Sequence, residues 1–240
     1  MHLFCLPHAG GSGAAYRALS PHLAKFIRLR PLEFPGRGRR LSEPLLHDLP
    51  AVVEDLCRQI ACFDGPYAIY GHSMGALAGC LLANRLAALG RPLPCHLFVS
   101  GRKSPAAPKD AAPISRLPRD AFLDRVIALG GTPPEIAADR DFLYFIEPVL
   151  RADFAAVESY AHPPQRLGVP VSVLTGADEG RTEEDVRLWR QTCGQDVQFF
   201  DFPGGHFFLF AQWPQIGRLI SNTLHPHARL SRADDPCVNA

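Results

Sequence analysis

The stretch Tyr67-Ala68-Ile69-Tyr70-Gly71-His72-Ser73-Met74-Gly75 constrains this chain more than any other. An apolar run rich in aromatic and β-branched residues stops at Gly71, and a helical pattern begins directly afterwards, over residues 75–89. A strand that turns so sharply into a helix forces Ser73 into a backbone conformation that L-residues avoid, and its hydroxyl then stands clear of the sheet. A side chain two positions to either side would crowd the turn, hence Gly71 and Gly75. A Gly-rich strand-to-helix turn can also serve packing alone. As a nucleophile, Ser73 needs a base, an acid to orient that base, and donors for a developing oxyanion. The rest of the chain has to supply them.

At 240 residues, with 47% hydrophobic and 20% charged side chains, the chain fits one large soluble domain, or one domain with a substantial insertion. A net charge of +1 gives no electrostatic case for nucleic acid or an anionic membrane. The most apolar helical stretch, 75–89, is interrupted by Asn84 and Arg85 and is too short to span a bilayer. The seven cysteines are scattered without a C-x-x-C pair, which suits free thiols in a reducing compartment. A strand pattern begins at His2, with no charged segment and long apolar stretch of a signal peptide before it. A cytoplasmic protein is expected. No His/Cys/Asp cluster has zinc-like spacing, so no metal is expected.

Strand patterns at 2–6, 27–32, 67–72, 95–101, 169–176 and 197–202 alternate with helical ones. After the first comes Pro7-His8-Ala9-Gly10-Gly11-Ser12-Gly13, leading into an amphipathic helical stretch to about residue 25. This loop lacks both the Lys-Ser/Thr ending of a phosphate-binding loop and G-x-G-x-x-G spacing. The loop Pro35-Gly36-Arg37-Gly38-Arg39-Arg40 reads as solvated, its arginines free to face an acidic partner. Residues 48–63 form an amphipathic helix with Pro50 in its first turn. From 102 to 168 the strand–helix alternation stops. Helical patterns at 118–129, 133–138 and 139–160, the last expected to kink or divide at Pro148, read as a helical lid inserted between two strands. The chain thus divides into a core at 1–101, a lid at 102–168, the rest of the core at 169–224 and a polar, poorly ordered tail at 225–240.

Ser73, Asp178 and His206 each follow a strand pattern directly, which gathers them at the carboxyl edge of one sheet, where open α/β folds bind ligands. Their order, Ser…Asp…His, is that of α/β-hydrolase triads. The expected fold is therefore an α/β-hydrolase: a mostly parallel sheet, helices on both faces and a helical lid insertion. His206 would take the Ser73 proton, and Asp178 would fix the imidazole tautomer and stabilise the imidazolium. The Gly-rich loop after the first strand would supply the Ala9 N–H as one oxyanion donor, with the Met74 N–H as the other. Among ten histidines, His72 points away from the turn and His8 belongs to the oxyanion loop. Asp201 lies inside a strand and Asp185 on a helix, where structural roles suit them.

Taken together, the chain resembles the type II (external, editing) thioesterases of polyketide and nonribosomal peptide synthases. The resemblance is carried by Pro7-His8-Ala9-Gly10-Gly11-Ser12, Pro35-Gly36-Arg37-Gly38, Gly71-His72-Ser73-Met74-Gly75, Leu129-Gly130-Gly131-Thr132-Pro133, Leu150-Arg151-Ala152-Asp153-Phe154 and Pro203-Gly204-Gly205-His206-Phe207-Phe208. It covers nearly the whole chain to about residue 224. One departure is the very short segment before His2: relatives often carry additional N-terminal residues, so either an additional edge strand is expected to be missing here or the start site to be misplaced. The resemblance implies hydrolysis of acyl thioesters on the phosphopantetheine arm of acyl or peptidyl carrier proteins, clearing stalled groups. The pantetheine belongs to the substrate, and the enzyme itself needs no cofactor.

A thiolate leaves readily, so an acyl-enzyme on Ser73 forms without a strong acid step. A long, thin arm suits a tunnel under the lid, and Phe142, Ile146, Val149 and Phe154 are expected to line the acyl chamber. Arg37, Arg39, Arg40 and Lys103 are candidate contacts for an acidic carrier, and a monomer is the default. The competing readings are a fatty-acyl release thioesterase, a small-molecule esterase or peptidase of the same fold, and a non-catalytic binding protein.

Overall fold

A computed structural model of the chain describes residues 1–108, 112–161, 166–193 and 196–233. Six strands form one sheet: β1 (His2–Leu6), β2 (Arg28–Pro31), β3 (Tyr67–His72), β4 (Leu97–Ser100), β5 (Val171–Gly176) and β6 (Val197–Phe202). Every neighbouring pair is parallel, in the order β2-β1-β3-β4-β5-β6. The winding direction reverses between β1 and β3. Their following loops part there and open a crevice at the carboxyl edge, the usual place for a ligand in such sheets.

Alternation along the strands builds a core on each face, because successive side chains point to opposite sides. Phe4, Leu6, Ile69, Leu97 and Val99 join one core with helices α1 (Leu49–Gln59) and α2 (Met74–Ala88). Trp189 and Cys193 of helix α6 (Glu183–Cys193) join the same core. Leu3, Cys5, Ala68, Tyr70 and Phe98 join the other, with the 3-10 segment Gly13–His22 and helix α7 (Leu209–Ala233). Asp48 caps α1 by accepting the Ala51 N–H at 2.8 Å, and Pro50 occupies its first turn.

Between β4 and β5 lie helices α3 (Arg119–Ala128), α4 (Pro134–Ala138) and α5 (Arg140–Ser159). Phe122, Leu123, Val126, Leu143 and Leu150 form a small core of their own there. The far end of α5 does not belong to it: Ala156 and the following Tyr160 pack into the main core. Anchored at both ends, α5 runs through Pro148 as one helix rather than dividing.

Several local expectations give way to packing. The segment after the Gly-rich loop is 3-10 rather than α-helical. Arg37 is only 7% exposed, in a loop whose polarity reads as solvated. The C-terminal helix continues past residue 224 and through Pro226 to Ala233. Ile216, Ile220 and Leu224 are fully buried, and the His225 ring lies 6.0 Å from that of Phe26, so the polar turns extend a helix already docked. The remainder of the expected tail, 234–240, lies outside the described residues. Among the described residues no helix is long and apolar enough to cross a membrane. The six described cysteines are free thiols.

Candidate active site

The turn from β3 into α2 has the strain its sequence requires. Ser73 has φ 53° and ψ −112°, and it is the one non-glycine residue with positive φ among the described residues. A Cβ on Gly75 would lie 2.2 Å from the Leu6 carbonyl oxygen and 2.5 Å from that of Pro7. One on Gly71 would lie 2.2 Å from the Gly75 oxygen. Both glycines are thus demanded by backbone approach, and the first turn of α2 is pressed against the end of β1. The Ser73 N–H donates to the Ser100 oxygen at 2.8 Å, and the Ser73 oxygen accepts from Ala76 and Leu77 of α2.

His206 stands in the loop between β6 and α7, with its ring 5.0 Å from that of His72, the residue before Ser73. Its Nδ1 lies 2.8 Å from Oε1 of Glu179. The carboxylate that meets this imidazole is therefore Glu179, one residue beyond the expected Asp178. Ala177–Glu179 is a 3-10 turn, in which successive side chains diverge by a third of a revolution, so only one of the two acids can face the histidine. Asp178 is exposed, and its N–H donates to the Gly204 oxygen at 3.1 Å. Gly176 helps to join the two loops, since a Cβ there would lie 2.3 Å from the Gly205 oxygen. The two other acids have the structural duties expected of them. Asp201 takes two bonds from Arg181, each 2.8 Å, and Asp185 accepts from the Thr182 N–H at 2.9 Å.

An Nδ1–H that donates to a carboxylate leaves Nε2 of His206 as the ring's acceptor. The neighbouring imidazoles are of a different kind. His72 is fully buried, with Nδ1 2.9 Å from the Ser100 hydroxyl. Burial, and next the proximity of His206, hold its pKa well below the usual value. Burial likewise lowers His8 to about 4, with lesser contributions from His206 and Arg37. Both are neutral at pH 7, and His206 is the more accessible ring, its side chain 24% exposed.

The loop after β1 is held from two sides. Gly10 N–H donates to Asp153 Oδ2 at 2.7 Å, and Gly13 N–H donates to Glu33 Oε1 at 3.1 Å. Ala9 lies half-buried against the core shared with Met74. Neither the Ala9 nor the Met74 N–H has an acceptor among the described residues. A strained serine, an imidazole that meets a carboxylate, and two amides with no acceptor among the described residues are the kinds of group that acyl transfer uses.

A cavity of about 550 Å³ opens beside His206 and Glu179. Leu77, Ala106, Tyr160, Val173 and Trp189 contribute to its wall. None of the four expected chamber residues lines it. Phe142 is 40% exposed, Ile146 and Phe154 pack within the α3–α5 cluster, and Val149 is half-buried. Helical periodicity identifies an apolar face but not what it covers. The cavity wall comes instead from the segment after β4, the far end of α5, and α6.

Comparison with known proteins agrees with this chemistry. Residues 1–224 match the family described as "Thioesterase domain". The gramicidin S biosynthesis protein GrsT of Aneurinibacillus migulanus is 33% identical over 88% of this chain and 83% of its own length. The type II thioesterase BorB from the borrelidin biosynthetic cluster has a TM-score of 0.82 at 30% identity, over 93% of this chain and 92% of that one. A mutant of YbtT, a type II thioesterase of the yersiniabactin pathway with a serine replaced by alanine, has a TM-score of 0.78 at 29% identity. It covers 95% of this chain and 93% of that one. This chain belongs to the thioesterase family, as a type II editing thioesterase of polyketide and nonribosomal peptide assembly.

Proposed function

We propose that Ser73 is the nucleophile, His206 the general base and Glu179 the acid that orients it. The substrate is an acyl group on the phosphopantetheine arm of an acyl or peptidyl carrier protein. The 2.8 Å pair between His206 Nδ1 and Glu179 Oε1, beside the strained Ser73, carries the assignment. Nε2 of His206 takes the Ser73 proton as Oγ attacks the thioester carbonyl. The oxyanion forms against the Ala9 and Met74 N–H groups. The tetrahedral intermediate collapses, the pantetheine thiolate leaves and takes up the proton, and Ser73 is acylated. His206 then draws a proton from water, whose oxygen attacks the ester and returns the free acid and Ser73. The cavity beside His206 receives the acyl group. The enzyme works as a monomer in the cytoplasm, a setting consistent with its free thiols.

Mass spectrometry of intact carrier proteins loaded with acyl groups of graded length tests this reading. Wild-type protein should return the free carrier arm, Ser73→Ala should not, and Ala106→Phe should shift the profile toward shorter acyl groups. A Ser73→Ala rate equal to wild type would end the assignment. An aryl ester hydrolysed as well as the carrier-bound thioester would favour a small-molecule esterase instead.

A further inference from the structure

Among the buried charged residues that the mechanism leaves without a part are Arg37, between two glycines with positive φ, and Asp153 on α5. Asp153 is 1% exposed and Arg37 7%. Arg37 Nη2 donates to Asp153 Oδ1 at 2.7 Å and Nη1 donates to Oδ2, a two-pronged grip that fixes the carboxylate plane. The same Oδ2 accepts the Gly10 N–H at 2.7 Å. Gly10 has φ +72°, and a Cβ there would lie 2.3 Å from Leu150 Cδ2, so only glycine lets α5 settle on this loop. Of the amides in the loop, Gly10 and Gly13 are bonded to buried carboxylates, while Ala9, immediately before Gly10, has no acceptor among the described residues.

Burying an ion pair is costly, and an apolar pair of the same shape would serve as well or better for stability alone. A fixed carboxylate does something an apolar contact does not: it sets the direction of one peptide plane. The plane it sets adjoins Ala9.

We propose that Asp153, gripped by Arg37, is a positioning residue of the oxyanion hole, holding the Gly10 peptide so that the Ala9 N–H is aimed at the reacting carbonyl oxygen. This rests on the assignment of Ala9 as an oxyanion donor. Because Asp153 rides on α5, the seating of that helix and the aim of the donor are set together. The contribution belongs to the transition state, where the oxygen carries charge, and not to substrate binding.

The test compares wild type with Asp153→Asn, using an acyl trifluoromethyl ketone that adds to Ser73 and forms an oxyanion there, and the matching amide as a ground-state analogue. Asp153→Asn should lower kcat about 10-fold or more, short of the ~10²–10³ for a donor lost outright. The ketone should bind more weakly by a similar factor, and amide affinity should stay within about 2-fold. In wild type, the Ala9 amide proton should move downfield in the ketone adduct, and in Asp153→Asn it should move less. An unmoved Ala9 signal in wild type would overturn the donor assignment and this proposal together. A full shift in both proteins would leave the donor assignment intact and overturn the role of Asp153. Arg37→Lys, which loosens the grip while keeping the carboxylate, should show the same pattern to a smaller degree, and an unchanged ketone affinity there would also count against the proposal. Arg37→Lys carries the test if Asp153→Asn does not fold.

Discussion

The carboxylate beside His206 is decided by a single residue of backbone. Asp178 and Glu179 are adjacent carboxylates just past the end of β5, and of the two the 3-10 turn presents Glu179 to Nδ1. Glutamate adds one methylene of reach, which suits a carboxylate standing one position further from the strand. Glu179→Gln should therefore lower kcat by about 10²–10⁴, the range for a triad acid that loses control of the tautomer. Asp178→Asn should stay within a few-fold of wild type, since only its backbone N–H is bonded to the histidine loop. Steady-state kinetics of the two variants decide the matter, and the opposite ranking would return the role to Asp178. Ser73 itself needed no such arbitration, because the flanking glycines already dictate the turn. That Glu179 rather than Asp178 meets the imidazole is not legible in the sequence for the complementary reason: nothing in it specifies the rotation of a 3-10 turn.

At the scale of elements, α5 is the member with two allegiances. Its first three turns, through Leu150, pack Leu143 and Leu150 against Phe122, Leu123 and Val126 in a cluster separate from both sheet faces. Its C-terminal half is fixed to the main core by Ala156 and to the loop after β1 by Asp153. A small, separate cluster opens more readily than a sheet core, so local stability should change within this one helix. Hydrogen exchange should find α3, α4 and the first turns of α5 exchanging well before β1, β3 and β4, with the segment after Asp153 protected to nearly the level of the sheet. Uniform protection along α5 would contradict this division. The same division explains why Ile146 and Phe154 pack against the α3–α5 cluster instead of lining the cavity. An apolar stripe in a sequence declares that it is covered, not by what.

For the molecule as a whole, histidines whose pKa is lowered chiefly by desolvation, His8, His72 and His96 among them, set the response to acid. His8 and His96 have pKa values lowered to about 4, and His72 is held well below its usual value, each chiefly by burial. A histidine depressed in the folded state is neutral there but binds a proton at about 6.5 once unfolded. The unfolded chain thus gains protons first, and stability falls as pH is lowered from about 6.5 toward 4. Each such group adds about 1.4 kcal/mol per pH unit within that window. Thermal unfolding should show Tm nearly level above pH 7 and dropping steeply below 6. His96, whose Nε2 meets the Ser172 hydroxyl at 2.9 Å near the amino end of β4, offers a separate check. Its replacement by Asn should flatten the acid limb, and a slope unchanged from wild type would sink the attribution.

What the sequence determined by itself was whatever depends on spacing along the chain. The strand-turn-helix at Ser73, the six strand patterns, the order of serine, acid region and histidine, and the placement of a helical insertion all follow from period, glycine position and polarity. What only the tertiary structure decided depends on which distant groups meet. Arg37 is buried rather than solvated because Asp153, 116 positions away, meets it, and Asp153 in turn accepts the Gly10 N–H of the loop that carries Ala9. Glu179 rather than Asp178 faces His206, and the cavity wall comes from segments after β4 and in α6 rather than from the apolar stripe of α5. Local periodicity records the environment of a side chain as apolar or polar. The identity of its partner is settled only when the sheet brings separate loops to one edge.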